Sequence, residues 1–309
     1  MEMLAAGVPV LLLGAGVVVT VLVRVLLRRD SVGPALRDRR IAWLRTVSGR
    51  ARWTGLWVGA LVCVWIGVVG HLGLGLLLAP AVFAVVQILG LIAGEGLIRN
   101  AVRTPGTAVL ERREVRDYLP RGLVGCVAAA SVLLVGTLTS TTLLAATWKV
   151  GGAAGRVYVY DQVVDGVVVG TSRSPWPGSF YSIPAGVVLL VVFALAGVGL
   201  VLAVGRPRDG SDPQIRQADD AARSRVVESV VAAVGVAVAT MLAGLGLVLG
   251  GSLLDIAGAS GSTAVRLLGG LAVVIAFPAA VLLTWSLSVL FVPGAGQRAA
   301  DRRYAALAQ

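Results

Sequence analysis

The sequence predicts an all-α, polytopic helical bundle that crosses a membrane seven times and carries one small extracytoplasmic β-hairpin. Three observations predict it. The 309 residues are 57% hydrophobic and only 14% charged, whereas an average soluble domain carries roughly 25% charged residues. The apolar residues gather into seven long runs, and a spanning helix needs about 20 such residues. The charges lie between the runs, most of them arginine, which is the pattern of loops flanking membrane spans.

The first run, about 6–27, begins after Met1-Glu2-Met3 with no basic residue ahead of it, and arginines follow it. It is too long for a signal-peptide core, so it reads as a span that stays. The second and third runs, about 54–72 and 75–98, form a tight hairpin around His71, Gly73 and Gly75. The remaining runs are about 122–146, 184–205, 226–250 and 264–292. After the first span these make three hairpins, each behind an arginine-bearing segment; duplication or ordinary bundle topology would give the same pattern. Glu111–Leu119 and Ala218–Val227 look amphipathic and are expected to lie along the inner membrane surface.

The longest outer segment is 147–183. Within it, β-branched and aromatic residues run from Arg156 to Val164, Asp165-Gly166 follows, and Val167 to Gly170 resume the pattern. Asp-Gly between two such runs is a strong hairpin signal. Pro175, Pro177 and Pro184 then stop helix and strand alike.

Arginine distribution fixes the expected orientation. Segments 28–53, 99–121, 206–228 and the tail after 292 carry, with Arg24, 23 arginines, against Lys149, Arg156, Arg173 and Arg266 on the other side. The positive-inside rule then places the N-terminus outside and the C-terminus in the cytoplasm of a cell-membrane protein. The same rule accounts for the net charge of +11, so nucleic acid is not an expected partner. Arg39, Arg40, Arg112 and Arg113 suit anionic lipid at the cytoplasmic face or an acidic partner. Cys63 and Cys126 both sit in apolar runs and offer neither a disulfide framework nor zinc spacing.

Few residues suggest chemistry. Glu95 is the one acid well inside a run, and an intramembrane carboxylate is a candidate proton relay or counter-ion. Arg99 lies one turn on, so an interfacial ion pair is the simpler reading. Gln87, Thr137 and Thr141 are polar groups within spans; they could line a cavity, bond between helices, or bond back to their own helix carbonyls. Trp176, Phe180 and Tyr181 are candidates for outer recognition or for anchoring the fifth span at the interface. His71, the single histidine, has no companion ligands nearby. No hydrolase, Walker or metal motif occurs, so no metal or cofactor is expected and the chain is not read as an enzyme.

Two stretches, Arg116-Asp117-Tyr118-Leu119-Pro120-Arg121 and Trp176-Pro177-Gly178-Ser179-Phe180-Tyr181-Ser182-Ile183-Pro184, resemble a group of uncharacterised actinobacterial multi-pass membrane proteins. The resemblance covers about residues 95–250. Members of that group occur beside a GntR-type regulator and an ABC-transporter ATPase, which implies a membrane component of an ABC-type export or stress-response system. The group brings no established catalytic residues. The expected function is therefore a non-catalytic transport component energised by a separate ATPase. The alternative is a membrane sensor or scaffold that reads envelope state through 147–183. A second copy of the chain is a further candidate partner.

Overall fold

A computed structural model describes residues 39–101, 115–145, 154–164, 166–205 and 213–291. They form six long helices: α1 (Arg39–Val69), α2 (Leu74–Ala101), α3 (Arg121–Leu144), α4 (Ser179–Val204), α5 (Pro213–Ser260) and α6 (Thr263–Phe291). Each contains a stretch long and apolar enough to cross a membrane. These six correspond to the second through seventh expected spans. The expected first span, 6–27, lies outside the described residues, so the count of seven is not fixed.

The helices group around α5. In its most apolar stretch 83% of the residues are buried, against 17–39% for the other five. The reason is visible in its composition. From Val230 to Ala239 the helix is wholly Val, Ala and Gly, apolar all round, and such a helix belongs inside a bundle. Small side chains also let neighbouring backbones approach closely. Val230 of α5 and Ile88 and Ile92 of α2 meet around Gly199 of α4. On the α6 side, a Cβ on Gly246 would lie 2.8 Å from the Ala272 carbonyl, and one on Gly250 would lie 3.0 Å from that of Gly269.

Two sequence expectations change here. Ala218–Val227 is not a separate surface helix; it is the continuous start of α5. Nothing between Pro213 and Ser260 breaks the helix, and Pro213 at its first position suits a helix start. Its 48 residues extend ~72 Å at 1.5 Å per residue, more than twice a hydrocarbon core of ~30 Å. α5 is therefore longer than a single crossing needs. It closes at Gly261, whose φ of 67° favours glycine. Ser262 then accepts the Val265 amide at 3.5 Å to start α6. Secondly, Pro184 does not stop the helix: α4 begins five residues earlier, at Ser179. A proline this close to a helix start removes only a bond of the first turns.

The hairpin forms where expected. β1 (Tyr158–Val164) and β2 (Val167–Arg173) pair antiparallel, with Val164 opposite Val167. That register leaves a two-residue turn, and Gly166 supplies φ of 77°.

The bundle thus has two distinct ends. One, the platform, gathers the α1–α2 turn, the end of α3, the hairpin, the start of α4 and the α5–α6 turn. The other, the base, gathers the starts of α1, α3 and α5 and the ends of α2, α4 and α6.

The α5–α6 seam is directly testable. Gly250→Val forces a side chain against Val273 and Gly269 and should cost about 1–3 kcal/mol. Gly244 faces open space, so Gly244→Ala should be neutral or stabilising by up to about 1 kcal/mol. Thermal unfolding in mild detergent reads both, and equal effects would contradict the seam.

Candidate functional site

The densest buried polar cluster among the described residues lies at the base, on the first turns of α5. Asp219, Arg223 and Arg225 are all buried, Arg223 to 2% exposure. Arg223 Nε and Nη2 each sit 2.8 Å from Asp219 Oδ2, one turn back. Its Nη1 donates to the Val204 carbonyl at 2.8 Å. Val204 is the last residue of α4, and the carbonyls of a final helical turn have no partner within their own helix. The guanidinium therefore closes α4 with a donor and a positive charge where the helix dipole is negative.

Arg225 does the same on the opposite side. Two residues along a helix is a rotation of about 200°, so Arg225 points away from Arg223. Its Nη2 donates to the Leu290 carbonyl at 3.2 Å, next to the end of α6. Its Nη1 lies 3.6 Å from Glu228 Oε2. A third tie reaches the entry of α3, where the Tyr118 hydroxyl donates to Asp220 Oδ1 at 3.1 Å. The start of α5 thus holds the ends of three neighbours through charged side chains. Sequence reading missed this cluster because it placed 206–228 between spans, with Ala218–Val227 lying along the membrane surface. The available signal was the Asp219/Arg223 spacing at the mouth of a small-residue span.

The platform is built around Trp176. Its ring is 1% exposed and stacks on Tyr158 with centroids 4.7 Å apart. Its Nε1 donates to the Thr141 carbonyl at 2.9 Å. Trp176 is therefore a pillar under the hairpin and not an exposed recognition residue. Phe180 and Tyr181 are half-buried. Arg156 stands over the Phe180 ring at 5.1 Å, and the Tyr181 hydroxyl donates to the Leu72 carbonyl at 2.8 Å, tying α4 to the α1–α2 turn. α5 props this end directly: Ser252 donates to the Pro175 carbonyl, just past the hairpin, at 3.1 Å, and Arg173 of the hairpin pairs with Asp255. What the hairpin exposes is the tip of β2, Val167, Val168 and Val169.

The remaining candidates separate. Thr137 and Thr141 bond back to the carbonyls of Leu133 and Thr137 at 2.8 and 2.9 Å, so their hydroxyls are used within α3. Gln87 is wholly buried, with its carboxamide against Gly55 of α1. Glu95 is 4% exposed, on an α2 stripe with Ala84, Ile88, Leu91 and Ile98, all buried. Arg99, one turn on, is exposed. Arg39 and Arg40 open α1, but their side chains, like that of His71, lie outside the description; Arg112 and Arg113 fall outside the described residues. Among the described residues no group of His, Cys, Asp and Glu could hold a metal ion.

Removing Arg223 alone should strand the Asp219 carboxylate and the Val204 carbonyl. Losing one partner of a buried pair typically costs about 3–5 kcal/mol. Arg223→Ala should therefore unfold at markedly lower temperature in detergent, and Asp219→Leu/Arg223→Met should recover most of the loss. A fully stable Arg223→Ala variant would contradict the assigned role.

No protein family, no curated protein and no solved structure matches the chain.

Proposed function

We propose that this chain is a multi-pass cell-membrane protein with its base in the cytoplasm and its platform outside. In this reading 6–27 adds a seventh span and places the N-terminus outside. The chain serves as the non-catalytic membrane component of an ABC-type export or stress-response system, energised by a separate ATPase. The observation that carries the proposal is α5, one unbroken helix whose start holds the ends of α3, α4 and α6 and whose end props the hairpin. A component driven from the cytoplasm and acting outside needs a stiff element between the two faces, and α5 suits that need.

Charge supports the orientation. Arg50, Arg99, Arg116 and Arg121 are exposed around the base, where anionic lipid or an acidic face of the ATPase would meet them. The resemblance to actinobacterial proteins found beside ABC ATPases supplies the choice of partner. A second reading, a sensor of envelope state, is favoured by one observation: the hairpin rests on α5 through Arg173 and Asp255, so a force on the hairpin would be felt by the central helix.

Two measurements test these readings. With Cys63 and Cys126 replaced by Ser, Gly166→Cys should react with a membrane-impermeant maleimide in intact cells, and Arg113→Cys only after permeabilisation. Labelling of Arg113→Cys from outside would overturn the orientation. The tagged full chain, purified from its own membranes, should bring an ATPase with it and raise its ATP hydrolysis several-fold. Isolation with no ATPase, or with one it does not stimulate, would remove the transport reading and leave the sensor.

A further inference from the structure

We propose that Arg52 is the counter-ion of Glu95, and that the two form a latch joining α1 to α2 at the base. This does not depend on the transport reading. α1 and α2 are antiparallel neighbours in contact along a stripe of small residues. A Cβ on Gly94 would meet the Cβ of Ala51 at 2.6 Å, one on Gly90 would lie 3.0 Å from the Gly55 Cα, and one on Gly59 would meet Phe83 at 3.0 Å. Ala51, Gly55 and Gly59 therefore face Gly94, Gly90 and Phe83.

One residue further along a helix is a rotation of about 100°. In an antiparallel pair, that step taken on both helices from facing positions turns both side chains to the same side of the pair. The residues that follow the contact stripe show which side this is: Leu56 on α1 and Ala84, Ile88 and Leu91 on α2 are buried, and only Ala60, farther towards the platform, is exposed. Ile88 meets α4 at Gly199, where Val230 of α5 also packs. This side is the bundle interior.

Arg52 follows Ala51, and Glu95 follows Gly94. Since Ala51 and Gly94 touch, Arg52 and Glu95 stand at one level on the interior side. Glu95 is 4% exposed, and Arg52 is half-buried with its guanidinium carbon 5.7 Å from the Trp53 ring centroid. Trp53 in turn packs on Phe291 of α6 at 6.0 Å. A carboxylate in such a setting requires an opposite charge or strong donors, and Arg52 is the cation the helix geometry brings beside it. The latch lies on the interior face of the pair and joins α1 to α2 where they reach the base. In this role Glu95 is a fixed counter-charge and not a proton carrier.

A double-mutant cycle with Arg52→Gln and Glu95→Gln tests the pair, read as unfolding temperature of the full chain in detergent. Each single change should lower the midpoint by roughly 5–10 °C, and the double change by little more than one of them. Strictly additive losses would overturn the proposal. Should the single variants fail to accumulate, the charge swap Arg52→Glu/Glu95→Arg should accumulate where neither single reversal does, and its absence would overturn the proposal as well. Independently, with Cys63 and Cys126 replaced by Ser, Arg52→Cys/Glu95→Cys should be joined by a short bifunctional thiol reagent in native membranes. A failure to cross-link would place the two side chains on different faces and sink the latch.

Discussion

A helix enclosed along most of its length must offer every neighbour a close approach, and α5 meets that constraint with Val, Ala and Gly. The rest of the architecture depends on it. In an apolar surrounding there is no hydrophobic gain in moving a leucine from lipid to protein, so helices associate through tight packing and polar contacts. Gly199, Gly246 and Gly250 provide the tight packing, since a side chain at any of them would meet a neighbouring helix. Without close approach along α5 the other five helices would have no common surface.

Polar contacts are concentrated where α5 leaves the packed zone. At the base, Arg223 and Arg225 take the terminal carbonyls of α4 and α6 on opposite faces of one helix. The geometry solves two problems together. Helix ends at the edge of an apolar zone need donors, and buried guanidinium groups need acceptors. At the platform the last turns of α5 carry Ser252 to the Pro175 carbonyl and Asp255 to the hairpin. A two-stranded hairpin is marginal alone; here Trp176, Tyr158 and Ile256 give it a small hydrophobic core of its own. The glycine contact between α1 and α2 sets a register that brings Arg52 and Glu95 to one level, so the same close packing that joins these helices also positions their charges.

Much of this was legible in the sequence. Six of the expected spans coincide with helices to within a few residues at most of their membrane-crossing ends, and the Asp165-Gly166 signal marked the hairpin to the residue. The length of α5 was not legible, because a hydropathy run reports the apolar part of a helix and stops at the first charges. Asp219, Arg223 and Arg225 then resemble a solvated loop when they are the buried start of the helix. The centrality of α5 was encoded more quietly. Lipid and protein interior are equally apolar, so hydropathy alone does not separate a lipid-facing span from an enclosed one. The separating feature is side-chain size: Val226–Ala243 holds a single leucine and no aromatic residue, whereas α4 mixes leucine and Phe193 into its span. Trp176 misled for a related reason. Its position among prolines suggested an interfacial ring, and only the fold shows that Tyr158 and the Thr141 carbonyl enclose it.

One unbroken helix links the charged base to the platform. Spin labels at Ala222→Cys and Ser260→Cys, with Cys63 and Cys126 replaced, test it most directly by pulsed electron-electron resonance in lipid nanodiscs. Thirty-eight helical steps at 1.5 Å each predict a single distribution centred near ~57 Å between backbone positions. A distribution centred well short of that, or split into two, would show that α5 bends or breaks within the membrane and would contradict the account.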